Sequence, residues 1–342
     1  MLRRAGNREE AVVIDRMLLG VLTGIGLLLA APAPQAVAQS VPKTVTLVVP
    51  YAAGGGTDVV TRLIAPHMAR ALGQNVVVEN VAGAGGTIAN ERVARSTPDG
   101  SSVLINHVAL LAAPSLFTNL RYDTKTAFEP IGLVNNAPMV LIGRKSIPGA
   151  GPKDFVGWIK GQGAKANFAH GGIGTNSHLC AVMMGNALGF KPTFVAYRGS
   201  APAISDLLGG QIDLLWDQVT NALPQIQAGT LHGIAITSPQ RLEQLKDVPT
   251  TAELGLPEVS YTMWHGLYVT KGTPKETVAA LNAALRKALA DTAVLERLKQ
   301  LGTVPFPEAE MTPEAHARLF ASDLPRVAKL VETAGVKAGE AK

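Results

Sequence analysis

The stretch 45–73, read with Thr44 in front as TVTLVVPYAAGGGTDVVTRLIAPHMARALG, constrains the fold more than any other. Its apolar run 45–49 predicts a buried strand, the glycines at 54–56 a tight loop, and Thr57-Asp58 the opening of an amphipathic helix. Val59, Leu63, Ile64, Met68 and Leu72 are spaced to form the buried face of that helix, and Gly73 stops it. A strand, a bare-backbone loop and a helix N-terminus in succession aim unpaired N–H groups and the positive end of a helix dipole at whatever lies above them. The natural occupant is an anion. No Gly-Lys-Ser or Gly-Lys-Thr follows, which excludes a P-loop.

The same grammar recurs along the chain. Residues 76–79 read as a second strand, AGAGGT as its loop, a helix begins near Thr87, Thr97-Pro98-Asp99-Gly100 is a turn, and 103–106 is a third strand. This alternation implies an α/β lobe with a parallel sheet and ligand loops at the carboxyl ends of its strands, reaching to about Arg144. Gly83, Gly85 and Gly86 superficially resemble a dinucleotide fingerprint. Its third glycine position is Ile88, however, and no acidic residue follows at the required distance, so no nicotinamide cofactor is expected.

A Pro- and Gly-rich break at 147–152 precedes a second round. Residues 167–169 are a strand, 170–176 a glycine loop, and 177–188 a helix ending at Gly189. Another strand at 193–195 runs into Tyr197-Arg198-Gly199-Ser200, with Ser200 as N-cap of a helix stopped by Gly209-Gly210. Next come a buried strand at 212–216 with Asp217 at its end, a helix from about Asn221, and a strand at 231–236. The segment 261–269, with Tyr261, Trp264 and Tyr268, returns the chain to the first lobe. Thr273-Pro274-Lys275-Glu276 reads as a capping box, Val278, Leu281, Leu285 and Leu289 as one apolar stripe, and Thr312-Pro313-Glu314 as the start of the last helix.

At 342 residues the chain can build two lobes with real cores. Arg16 is followed by the apolar run MLLGVLTGIGLLLAA, by Pro32 and Pro34, and by the small-x-small site Ala36-Val37-Ala38, which reads as an export signal cleaved near Ala38. A membrane anchor is the alternative, but the run is short for a span of about 20 residues and ends in prolines. The expected division is a signal at 1–38, one lobe at 39–145 and 267–342, a second at 146–266, and a cleft between the lobes. The single cysteine, Cys180, excludes an internal disulfide and a cysteine-based metal cluster. A formal net charge of +5 on scattered Lys and Arg leaves no nucleic-acid footprint.

Candidate ligand contacts follow from the loops. The opening loop supplies Tyr51, Gly55, Gly56, Thr57 and Asp58. Its structural alternative is a tight turn with an N-cap, and the two readings coexist because a capped helix still presents its remaining amides. The next loops add Gly86, Thr87, His107 and Ala109. The second lobe's counterpart supplies Gly172, Gly174, Thr175, Asn176 and His178, with Ser177 as a further hydrogen-bonding side chain. Tyr197-Arg198-Gly199-Ser200 and Asp217, at the ends of two adjacent strands, are placed to line the cleft, and Tyr197, Arg198 and Asp217 complete the set. Arg198 offers a bidentate carboxylate clamp, against the commoner pairing with a surface acid. His170 and His178 match no helix-borne metal pair, and no metal is expected. No nucleophile, histidine and acid set assembles, so no catalytic residue is assigned. An exported hydrolase or lyase using Asp217 with His178 or His107 is the enzymatic alternative.

In their order, VPYAAGGGTD, VVVENVAGAGGTIA, TPDGSSVL, HGGIGTNSHL, YRGSAPAISDLLGGQIDLLWD and SPQRLEQLKDVPTTAELGLP resemble the substrate-binding proteins of tripartite tricarboxylate transporters, the Bug family. The resemblance covers nearly all of the chain beyond the signal. It implies a two-lobed periplasmic binding protein fold of type II character, no catalysis and no cofactor. It further implies a small organic acid held by loop backbone groups and waters, and delivery to membrane transporter subunits or, alternatively, to a signalling partner. The opening loop and the loop at 172–178 become two jaws. By analogy with receptors that close on one ligand, a monomer is expected. The chain departs from the family at Tyr51-Ala52-Ala53, where proline is frequent, and at Gln218, where asparagine is commoner.

Overall fold

The computed structural model describes residues 41–148 and 152–336. The stretch 1–38 read as an export signal, the middle of the 147–152 break and the tail from 337 lie outside them. Ten strands form one continuous sheet, in the order β2-β1-β3-β9-β4-β7-β5-β6, with β8 and β10 also pairing to β4. On one side β1 (Thr44–Val49) pairs in parallel with β2 (Asn75–Asn80) and β3 (Ser102–Asn106). On the other β5 (Asn167–His170) pairs in parallel with β6 (Thr193–Ala196) and β7 (Leu214–Gln218).

The two halves are joined by antiparallel strands that the alternation of strand and helix did not predict. The 16-residue β4 (Phe128–Gly143) pairs with β9 (Thr262–Thr270) along its first part and with β7 and β8 (His232–Ile236) along its last. Val304 and Pro305 form the short β10 beside Asn135 and Asn136. Pro130 and Pro138 sit in β4, and its register with β9 shifts twice. Bulges accommodate residues that cannot complete a ladder.

Helices cover the sheet: α1 (Gly56–Leu72), α2 (Thr87–Ala94), α3 (Val108–Leu116), α4 (Pro152–Gln162), α5 (Asn176–Leu188), α6 (Ser200–Leu208), α7 (Val219–Gln227), α8 (Lys275–Ala290), α9 (Thr292–Gln300) and α10 (Pro313–Thr333). Each strand-to-helix junction read from the glycine loops is present. α1 starts one residue earlier than expected and is rotated: Val60, Ile64 and Met68 are buried with Thr57 and Thr61, whereas Val59, Leu63 and Leu72 are half-buried. Thr61 faces the core because its hydroxyl is satisfied by donating to the Thr57 carbonyl at 2.6 Å.

Three local expectations need correction. Ser200 is the first helical residue of α6 behind Gly199, because its hydroxyl is committed to Asp217 rather than to a cap. The capping box at α8 does not form; Thr273 donates to the Thr270 carbonyl instead. Tyr197 and Asp217 do not end adjacent strands, since β5 lies between β6 and β7.

Candidate ligand site

Four helices point their N-termini at one chamber. α1 follows Gly55, α5 follows Thr175, α6 follows Gly199 and α7 follows Gln218, and no side chain caps any of them. By contrast, Asp291 caps α9 and Thr312 caps α10. The first-turn N–H groups of an uncapped helix have no intrahelical partner and carry its positive partial charge. Residues of all four termini, with Tyr51, His107, Met139 and Asp217, line a cavity of about 30 Å³.

Side chains stiffen the jaws without capping the helix termini. In the first jaw Asp58 turns back to accept from the Gly54 N–H at 2.9 Å, from Arg62 Nε at 3.0 Å and from Asn80 Nδ2 at 2.9 Å. Desolvation would raise the Asp58 carboxyl, but these donors outweigh it and hold the group below the usual range. In the second jaw Thr175 donates to the Gly172 carbonyl at 2.6 Å, and Ser177 Oγ accepts from the Gly171 N–H at 2.8 Å. Asn176 Nδ2 contacts Met263 Sδ, while its Oδ1 is buried without a partner among the described residues, an open acceptor.

Asp217 is 1% exposed and accepts from Ser200 Oγ at 2.5 Å, Asn221 Nδ2 at 2.8 Å and the Gln218 N–H. Burial pushes its carboxyl up to about 6. Asp217 thereby engages residues at the α6 and α7 termini itself.

A buried hydrogen-bond relay ties the jaws to the joining strands. His265 Nδ1 lies 2.9 Å from Asn135 Oδ1, whose amide nitrogen donates to Thr303 Oγ1 at 2.7 Å. His265 Nδ1 therefore carries the proton, and Nε2 accepts from the Thr57 hydroxyl at 3.1 Å. Thr57 Oγ1 in turn accepts from Gln218 Nε2 at 3.2 Å. Burial pushes His265 down to about 3, so it stays neutral. The Thr57 hydroxyl hydrogen, expected from sequence to meet a ligand, is spent on His265.

The halves meet face to face around the chamber. The Ala52 N–H donates to the Arg198 carbonyl at 2.9 Å. Any Cβ on Gly56 would overlap Gln218 Oε1, and one on Gly85 would overlap the Ile173 carbonyl oxygen. A second, outer cavity of about 300 Å³ shares Tyr51 and Gly171 with the inner one.

Of the residues singled out from sequence, Tyr51, Gly55, Gly56, Thr57, Asp58, His107, Thr175, Asn176 and Asp217 line the inner chamber. Gly86, Gly172, Tyr197 and Arg198 line the outer one. His107 stacks on Tyr51 with ring centroids 5.0 Å apart, and its Nδ1 accepts from the Ala109 N–H, which consumes that amide. Desolvation, with His265 nearby, holds His107 well below the ordinary imidazole range. Thr87, whose hydroxyl bonds the Ala84 carbonyl, and Gly174 border neither chamber. His178 sits behind the second jaw, accepting from the Gly174 N–H and packing on His170 at 4.7 Å; burial pushes it down to about 3. Gly199 and Ser200, read from sequence as part of the cleft wall, line the inner chamber; Gln218 and Met139 also line it and His265 supports it, and these three were not read from sequence as ligand contacts. Of these three, Gln218 alone carried a signal, as the departure from asparagine.

Fold and chamber together define a two-lobed solute-binding protein of the periplasmic binding class. The chain belongs to the tripartite tricarboxylate transporter family of receptors, whose family model matches residues 60–336. It is 44% identical to the periplasmic binding protein BugD, covering 86% of this chain and 98% of that one with a TM-score of 0.84. MatC from Rhodopseudomonas palustris, solved with bound malate, is 37% identical over 84% of this chain and 98% of its own, with a TM-score of 0.81. BugT of Bordetella pertussis is 31% identical over 94% of this chain and 98% of its own length. An R. palustris protein solved with adipate is 29% identical, covering 87% of this chain and 99% of that one at a TM-score of 0.82.

Proposed function

We propose that this chain is a periplasmic receptor that captures a small organic acid between its two jaws and presents it to the membrane subunits of a tripartite tricarboxylate-type transporter. The observation that carries this reading is the convergence of the uncapped α1 and α5 termini on one chamber. A carboxylate there meets backbone N–H groups from both sides, supplemented by bridging waters. The lobes, drawn at 39–145 with 267–342 and at 146–266, close around it as a single-chain clamp. Asp217 has both oxygens occupied and His107 is neutral with Nδ1 engaged, so the acid is held and released without chemistry. Malate and adipate, bound by two relatives, are acids of the proposed class.

A thermal-shift panel of mono-, di- and tricarboxylates, amino acids and neutral sugars tests the reading. A carboxylate at about a hundredfold its dissociation constant should stabilise the protein by about 2.7 kcal/mol. Stabilisation by neutral solutes alone would refute it.

A further inference from the structure

We infer that a second ligand site lies behind the second jaw, between α5, β6 and the end of α10, and that it takes a small uncharged aromatic molecule bearing a carbonyl oxygen. The site goes beyond capture in the cleft and does not depend on what the cleft holds.

A cavity of about 410 Å³ lies there, larger than either chamber and within the size range of small-molecule pockets. Val182, Phe190, Pro192 and Phe194 give it an apolar wall. Phe194 stays 38% exposed although His170 and His178 both pack on its ring, which leaves an aromatic surface for a ligand ring. The end of α10 borders the cavity: Ala334 and Val336 line it, and Asn186 of α5 donates to the Thr333 carbonyl at 3.3 Å. No acidic residue is in the lining, and its one Lys, Lys191, is exposed.

The buried polar groups of this wall are His170 and His178, 2% and 5% exposed. Each ring is pinned to the jaw loop. The Gly172 N–H donates to His170 Nδ1 at 3.2 Å, and the Gly174 N–H to His178 Nδ1 at 3.3 Å. Burial pushes the two rings down to about 4 and about 3, so both are neutral. A neutral imidazole that accepts at Nδ1 carries its hydrogen on Nε2. Neither Nε2–H has a hydrogen-bond partner among the described residues. Two neutral donors in an apolar wall match a carbonyl oxygen, which accepts hydrogen bonds without bringing a charge to bury. Through the same rings the occupant acts on the jaw. A hydrogen bond given by Nε2–H polarises the ring and strengthens Nδ1 as the acceptor of the loop amides.

Acetophenone and ethylbenzene, alike in shape but with one acceptor between them, test this when titrated into the ¹⁵N-labelled full chain. Acetophenone should bind about 5- to 150-fold tighter, and the amide protons of Gly172 and Gly174 should move downfield as it binds. Asparagine keeps an acceptor for the loop amide and loses the Nε2–H, so the His170→Asn, His178→Asn double variant should erase the gap between the two probes. Ala334→Phe, which fills the cavity from the end of α10, should weaken both. Equal affinities in the wild type, a gap that survives the double variant, binding that leaves Gly172 and Gly174 unmoved, or failure of both probes to bind each overturns the site. All four outcomes leave the carboxylate reading of the cleft as it stands.

Discussion

Replacing Gly85 by alanine separates closure from folding. Gly85 has φ of +61°, and a Cβ there would overlap the carbonyl oxygen of Ile173 on the opposite jaw and touch Phe117 Cζ at 3.4 Å. A backbone carbonyl cannot swing aside as a side-chain tip can, so the closed state should lose about 1–3 kcal/mol to overpacking. An open state without that contact is spared this loss. Gly73→Ala is the control: Gly73 has φ of +64° and nothing within 4 Å of an added Cβ. Both variants carry the left-handed backbone cost of about 1–2 kcal/mol, which lowers stability in any state. Ligand-free melting temperatures of the two should therefore fall together. Ligand affinity should fall about 5- to 150-fold for Gly85→Ala and stay near wild type for Gly73→Ala. Equal affinities in the two variants would show that the Gly85–Ile173 approach plays no part in capture.

Two further outcomes follow from the buried polar groups. Thr57→Val removes the only donor reaching His265 Nε2 among the described residues and the acceptor of Gln218, so stability by urea titration should drop by about 1–3 kcal/mol; an unchanged midpoint would dissolve the relay. Asp217 has a folded-state pKa raised to about 6, above the unfolded value near 3.9, so its contribution to stability should fall by about 2–3 kcal/mol as pH rises from 4 to 7. The melting profile of Asp217→Asn should lack that decline over the same window, and parallel profiles would refute the raised carboxyl.

The strand, glycine-loop and helix junctions were legible because their signals are local: an apolar run, a backbone free of side chains and a polar first turn. Their recurrence at 167–178 gave the second jaw. The joining strands were not legible. Residues 128–143 carry two prolines and two adjacent asparagines, and they lack the alternation that marks a half-buried strand, because β4 is mostly buried and bulged. His265 gave no signal at all: its role depends on Asn135 and Thr57, respectively 130 and 208 residues away in sequence. The rotation of α1 was missed because apolar spacing counts Val59 and Leu63 toward the core and cannot see that Thr57 and Thr61 have buried partners. His178 shows the converse, a polar residue beside a ligand loop that faces away from the chamber to brace the jaw from behind.

The central claim is that one carboxylate meets the N–H groups of two opposed helix termini at once. Amide resonances of Gly56, Thr57, Asn176 and Ser177 in ¹⁵N-labelled protein report this directly when adipate or malate is titrated in. The account predicts that amide protons on both jaws move downfield together, at a common saturation point. Shifts confined to one jaw, or centred on His170 and His178 behind the second jaw, would contradict it.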